Sequence, residues 1–75
     1  MWIIVYKKSV TKDLKSISRE NQYLIKRAIE EKLALDPMKF GLPLRRTLKG
    51  YMKLRVGDYR IVYTATRKIV TVCVV

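Results

Sequence analysis

The sequence predicts an α+β domain in which two N-terminal helices pack on one face of a mainly antiparallel sheet, in the order β-α-α-β-β-β-β. Three observations point there. Apolar residues recur at helical spacing between residues 10 and 35, they alternate from Tyr51 onward, and Gly57-Asp58 separates two alternating runs as a two-residue hairpin turn. Seventy-five residues make one domain, and an apolar fraction of 49% gives it a core.

Trp2-Ile3-Ile4-Val5-Tyr6 is β-branched and aromatic, the composition of a buried first strand. Ser9 is placed to cap a short helix with Val10, Leu14 and Ile17 at i, i+4 and i+7. Ser18, followed by Glu20, opens a longer helix to about Leu35. Its Leu24, Ile25, Ala28, Ile29, Leu33 and Leu35 form one broad stripe, and Lys26, Arg27, Glu30, Glu31 and Ala34 take the opposite face. Asp36-Pro37 ends it, because a residue before proline is pushed out of the helical region. Residues 38–43 are expected to be loop, with Gly41 and Pro43 as breakers. A weak strand at 44–49 follows, then clearer strands at 51–56, 59–66 and 69–75. Arg67-Lys68 is poorer turn chemistry than Gly57-Asp58.

Charge is the dominant compositional feature. Seventeen Lys and Arg against six acids give a net charge of +11. The excess is concentrated in residues 37–75, where Asp58 is the one acid against nine bases. Such a field favours a polyanionic partner, since phosphate contacts and counterion release reward clustered cations. Other classes are excluded. Cys73 is the single cysteine, so there is no disulfide framework and a reducing cytoplasm fits. One Cys and no His cannot make a zinc site, and no apolar run is long enough to span a bilayer. No metal, cofactor or membrane partner is implied.

The hairpin fixes where the charges go. With Gly57 and Asp58 as the loop, Val56 faces Tyr59, Arg55 faces Arg60, Leu54 faces Ile61, Lys53 faces Val62 and Met52 faces Tyr63. Alternation then sends Met52, Leu54, Val56, Tyr59, Ile61 and Tyr63 to the core, and Tyr51, Lys53, Arg55, Arg60 and Val62 to the other face. A loop of Arg67 and Lys68 adds Thr71, Cys73 and Val75 to that second face, with Val75 beside Arg60, and leaves Val70, Val72 and Val74 on the core side. Two arginines opposite one another repel. Either the long basic side chains simply reach into solvent from a wet face, or the cluster awaits an anion. Tyr51 on the same face is either a platform for a nucleobase or an ordinary sheet tyrosine.

The available chemistry is narrow. Imidazole acid–base catalysis is impossible without histidine, and the acids Asp13, Glu20, Glu30, Glu31 and Asp36 fall on the helical segment, away from the basic face. A metal-free phosphoryl transfer remains, with Arg and Lys stabilising charge on phosphate and an RNA 2′-hydroxyl as the natural nucleophile. Binding alone also accounts for every residue named.

Leu48-Lys49-Gly50, followed by Lys53-Leu54-Arg55-Val56-Gly57-Asp58-Tyr59-Arg60-Ile61-Val62-Tyr63, resembles the central motif of the RelE/ParE toxins of type II toxin–antitoxin modules. The opening strand, Lys12-Asp13-Leu14, the long basic helix and the Asp36-Pro37 stop fit the same family. The resemblance implies a RelE-like fold and a small antitoxin as partner. RelE-like members are ribosome-dependent, metal-free mRNA endonucleases, whereas ParE-like members poison DNA gyrase. Carried over position by position, Arg60 matches the arginine that contacts the scissile phosphate, and Lys53 matches a catalytic basic position on the preceding strand. Arg55 matches a supporting basic residue, and Tyr51 falls where some relatives carry a lysine. Tyr51, Arg55, Arg45, Arg46 and Lys49 are the expected RNA-binding positions. RelE-like toxins usually continue beyond the last strand with a basic segment and a tyrosine, and this sequence stops before it. The resemblance therefore implies a RelE-type mRNA endonuclease, a ParE-type gyrase poison, or an inactive relative that still binds antitoxin or RNA.

Overall fold

The computed structural model describes residues 1–43 and 50–74. Its elements are β1 (Ile3–Tyr6), α1 (Lys8–Lys15), α2 (Arg19–Ala28) continuing into a wider π-helical turn (Ile29–Leu33), α3 (Pro37–Phe40), β2 (Leu42–Pro43), β3 (Tyr51–Val56), β4 (Tyr59–Thr66) and β5 (Ile69–Val74). The five strands form one sheet in the order β1-β5-β4-β3-β2, antiparallel except for the parallel pair β1–β5. The helices cover one face of it, as expected. Among the described residues no helix is long and apolar enough to cross a membrane.

The core lies between the helices and that face. Val10 and Leu14 of α1, Ile25, Ile29 and Leu33 of the long helix, and Met52, Leu54, Ile61, Tyr63, Val70 and Val72 of the sheet are all buried. Each such side chain contributes about 1.5–3 kcal/mol relative to exposure. Ser18 caps α2, its hydroxyl accepting from the Asn21 amide at 3.4 Å. The expected Ser9 cap is not made: Lys7 holds the N-cap of α1, without a side-chain bond, and Ser9 lies inside the helix.

The apolar stripe is narrower than the sequence suggested. Ile25, Ile29 and Leu33 are buried, while Leu24 and Leu35 are 54% and 66% exposed. The π turn explains the selection. Its closing bond runs from the Ala34 amide to the Ile29 carbonyl, five residues back, at 3.2 Å. The extra residue in that turn offsets the drift that a regular helix builds up at four-residue spacing, so three side chains stay in line over the sheet. The Ala34 carbonyl in turn accepts from the Trp2 amide at 2.9 Å and ties the helix end to β1.

The expected loop at 38–43 is partly ordered. Asp36 leaves the helical region at φ −153°, as the following proline requires, and its carboxylate caps α3 by accepting from the Lys39 amide at 3.1 Å. Beyond α3, Leu42 and Pro43 pair with Lys53 and Met52 as a short edge strand. Gly41 between them must be glycine, since a methyl group there would overlap the Tyr63 phenol. That phenol donates to the Pro37 carbonyl at 2.6 Å, pinning α3 over the core. The expected strand at 44–49 lies outside the described residues.

Two further expectations are corrected. The first strand is not buried throughout: Ile4 and Tyr6 face the helices, while Ile3 and Val5 are exposed on the other face. In β5, a bulge at Cys73 shifts the register, so that Val72 pairs with Tyr63 but Val74 pairs with Val62. The extra residue turns Val74 to the uncovered face, where it is 50% exposed, and leaves Cys73 buried. Val75 lies outside the described residues.

Candidate nucleic-acid interface

The β3–β4 hairpin has the register its sequence implied, from Val56 opposite Tyr59 down to Met52 opposite Tyr63. Gly57 takes φ +58°, the left-handed first position a primed hairpin turn requires. Alternation from that turn leaves Arg55 and Arg60 exposed, directly opposite one another, on the face the helices do not cover. One row further from the turn, Leu42, Lys53, Val62 and Val74 lie side by side across four strands. Tyr51 begins the next row with Thr64 and Thr71. Lys53, Arg55, Arg60 and Tyr51 are thus brought together on one surface. Arg45, Arg46 and Lys49 lie outside the described residues.

This surface has few internal counter-charges. Among the described residues the one ion pair is Arg27–Glu31, at 2.8 Å on the exposed side of the long helix. Arg55 is steadied instead by a neutral acceptor, its Nε donating to the Gly57 carbonyl at 3.1 Å. Two open grooves flank the arginine pair. A larger one of about 720 Å³ is lined by Arg55, Arg60, Tyr59, Val62, Val74 and the carboxylate residue Asp58. A second, of about 480 Å³, opens at the sheet edge and takes in Lys32, Phe40, Leu42 and Lys53 beside the two arginines.

Guanidinium pairs of this kind bind planar oxyanions through several charge-assisted hydrogen bonds. The tyrosines with displaced pKa are not on this face. Tyr63 is pushed up to about 12 by burial and, secondarily, by Asp36. Tyr6 is also raised, by burial first and Glu30 second. Both belong to the covered side, and both hold their protons more tightly than a free tyrosine. Lys32, Phe40 and Leu42 were not singled out from the sequence, and Val74 was expected on the core side. Asp36-Pro37, read from the sequence as the end of the long helix, is also a cap followed by proline at the first helical position, the signal that could have announced α3 and hence the position of Phe40.

Comparison with known proteins places this geometry. No curated protein matches the chain. Among solved structures it is similar to a chain of the RelBE2 toxin–antitoxin complex of Mycobacterium tuberculosis, with TM-score 0.88 and 23% identity over 95% of this chain and 90% of that one. A chain of the archaeal RelE–RelB complex of Pyrococcus horikoshii gives TM-score 0.68 and 25% identity over 97% and 90%. The YoeB–YefM complex of Staphylococcus aureus gives 0.64 and 20% over 99% and 93%. The family model described as the ParE toxin of the type II toxin–antitoxin system parDE matches residues 4–75. The match spans nearly every residue, including both strands of the arginine hairpin, and the chain belongs to the ParE toxin family of type II toxin–antitoxin systems.

Proposed function

We propose that the chain is a metal-free mRNA endonuclease of the RelE type, acting on message held by the ribosome, and that a cognate antitoxin restrains it. The observation that carries this reading is the opposition of Arg55 and Arg60 on an uncovered face, beside Lys53. A like-charged pair costs sheet stability unless an anion relieves it. A scissile phosphodiester does so, and its charge grows in the transition state, where guanidinium donors stabilise it most. In this reading Arg60 and Arg55 hold the non-bridging oxygens. The ribose 2′-hydroxyl gives its proton to solvent water and attacks phosphorus, the bond to the 5′-oxygen breaks to leave a 2′,3′-cyclic phosphate, and the Lys53 ammonium supplies the departing oxygen with a proton. An acidic antitoxin segment is the natural restraint on a +11 chain, and the similar structures are toxin–antitoxin complexes.

A translation reaction supplied with purified protein tests this. Cleavage of the message is expected, and Arg60→Glu should lower its rate by about 10²-fold or more. Message left intact by the wild-type protein overturns the enzyme reading. The family match supports a second reading, in which the same face binds DNA gyrase and does no chemistry. That reading requires trapped gyrase–DNA cleavage complexes and unchanged message.

A further inference from the structure

We propose that the groove beside the Leu54–Val56 edge of β3 is a base-binding subsite for single-stranded RNA, with Phe40 as its stacking platform. The inference rests on the RNA reading of the arginine face and extends it to a neighbouring nucleotide. β2 pairs only with Lys53 and Met52, so among the described residues the Leu54–Val56 edge of β3 has no strand beside it. The groove occupies that gap. It joins Arg55, Arg60 and Lys53 on the open face to Lys32 of the π turn and to Phe40 at the end of α3.

Its chemistry differs from that of the groove on the other side of the arginine pair. There Asp58 places a carboxylate in the path of a polyanion. Among the described residues every charged group lining the edge groove is a cation, beside Phe40, Leu42 and Leu54. A nucleotide chain leaving Arg55 and Arg60 is therefore repelled in one direction and attracted in the other. Phe40 is 38% exposed, and the Lys39 ammonium lies 5.8 Å from its ring centroid. Phosphate on cations and base on an exposed aromatic face is the combination that single-stranded sites use. About 480 Å³ also falls within the ~300–1,000 Å³ range of small-molecule sites.

The test uses ten-nucleotide single-stranded RNAs carrying 2-aminopurine at one position in turn, titrated with wild type, Phe40→Leu, Phe40→Trp and Lys32→Ala. Wild type should alter the fluorescence at one position through stacking. Phe40→Leu should bind about tenfold more weakly and lose that signal, and Phe40→Trp should restore both. Lys32→Ala should weaken binding and reduce the salt slope by about one; being an exposed surface change, it keeps the test valid if Phe40→Leu fails to fold. RNA binding that depends on Arg60 but is unchanged by both Phe40→Leu and Lys32→Ala overturns this inference alone. A wild type that binds no RNA overturns it as well, and leaves the endonuclease reading to be decided by message cleavage in the translation reaction. Should Phe40→Leu weaken binding of an acidic, leucine-containing peptide but not of RNA, the groove is a protein-docking site and the inference also fails.

Discussion

The two faces of the sheet obey different rules although the same strands build both. On the covered side, Met52, Leu54, Ile61 and Tyr63 are buried in register against Ile25, Ile29 and Leu33, and the buried side-chain polar atoms of the described residues all have partners. On the uncovered side, the same strands set Arg55 against Arg60. The β4–β5 turn repeats this disregard for local energetics, since Arg67 and Lys68 take φ +50° and +66°, a region L-residues avoid. Basic residues thus occupy the positions least suited to them. One side of the sheet is arranged for stability; the other carries charge at some expense to it.

The largest expected contrast comes from adjacent residues. Ile61→Ala should cost about 2–5 kcal/mol by opening a cavity in the core, whereas Arg60→Ala should change stability by no more than about 0.5 kcal/mol. Chemical denaturation of the two variants checks this, and equal losses would break the distinction between faces. Tyr63→Phe comes next. At neutral pH it should cost about 1–3 kcal/mol by stripping the Pro37 carbonyl of its donor. Because the folded chain raises the Tyr63 pKa to about 12, wild-type stability from this group is full below the ordinary tyrosine value of about 10. That stability is lost as pH rises from about 10 to 12. The gap between wild type and Tyr63→Phe should therefore narrow over that window in alkaline denaturation.

Smaller effects of opposite sign sharpen the comparison. Arg67→Asn should stabilise the fold by up to about 1 kcal/mol, because Asn tolerates the left-handed turn conformation. Lys68 is the poorer target, since its ammonium lies 5.4 Å from the Trp2 ring centroid and substitution removes that contact. Arg60→Thr should stabilise by about 0.2–0.5 kcal/mol through loss of the repulsion across from Arg55. This gain should shrink in 1 M salt, where screening reaches about 3 Å. A thermal melt at two salt concentrations measures it.

The hairpin, its register and the side on which each of its residues falls were legible because period-two alternation and a Gly-Asp turn leave one arrangement that buries the apolar set. Where the covalent pattern admits an extra residue, legibility ended. Nothing in Val72-Cys73-Val74 marks the bulge, yet it moves Val74 from the expected core to the open face. The π turn likewise has no composition of its own, so Leu24 and Leu35 looked as core-like as Ile25 and Leu33. The edge groove depends on how α3 and a two-residue strand sit beside β3, a tertiary relation. Hence Lys32 and Phe40, distant in sequence from the arginine motif, carried no signal that joined them to it.

The parallel pairing of β1 with β5 has a consequence for how the molecule is made. Its register, Ile3 with Ile69 through Tyr6 with Val72, joins segments 66 residues apart in sequence. The hairpins close short loops, while this pairing must gather everything between β1 and β5 and so forms late. During synthesis the first strand emerges with no neighbour to receive it until β5 has followed, and the five-stranded sheet closes only once both are available.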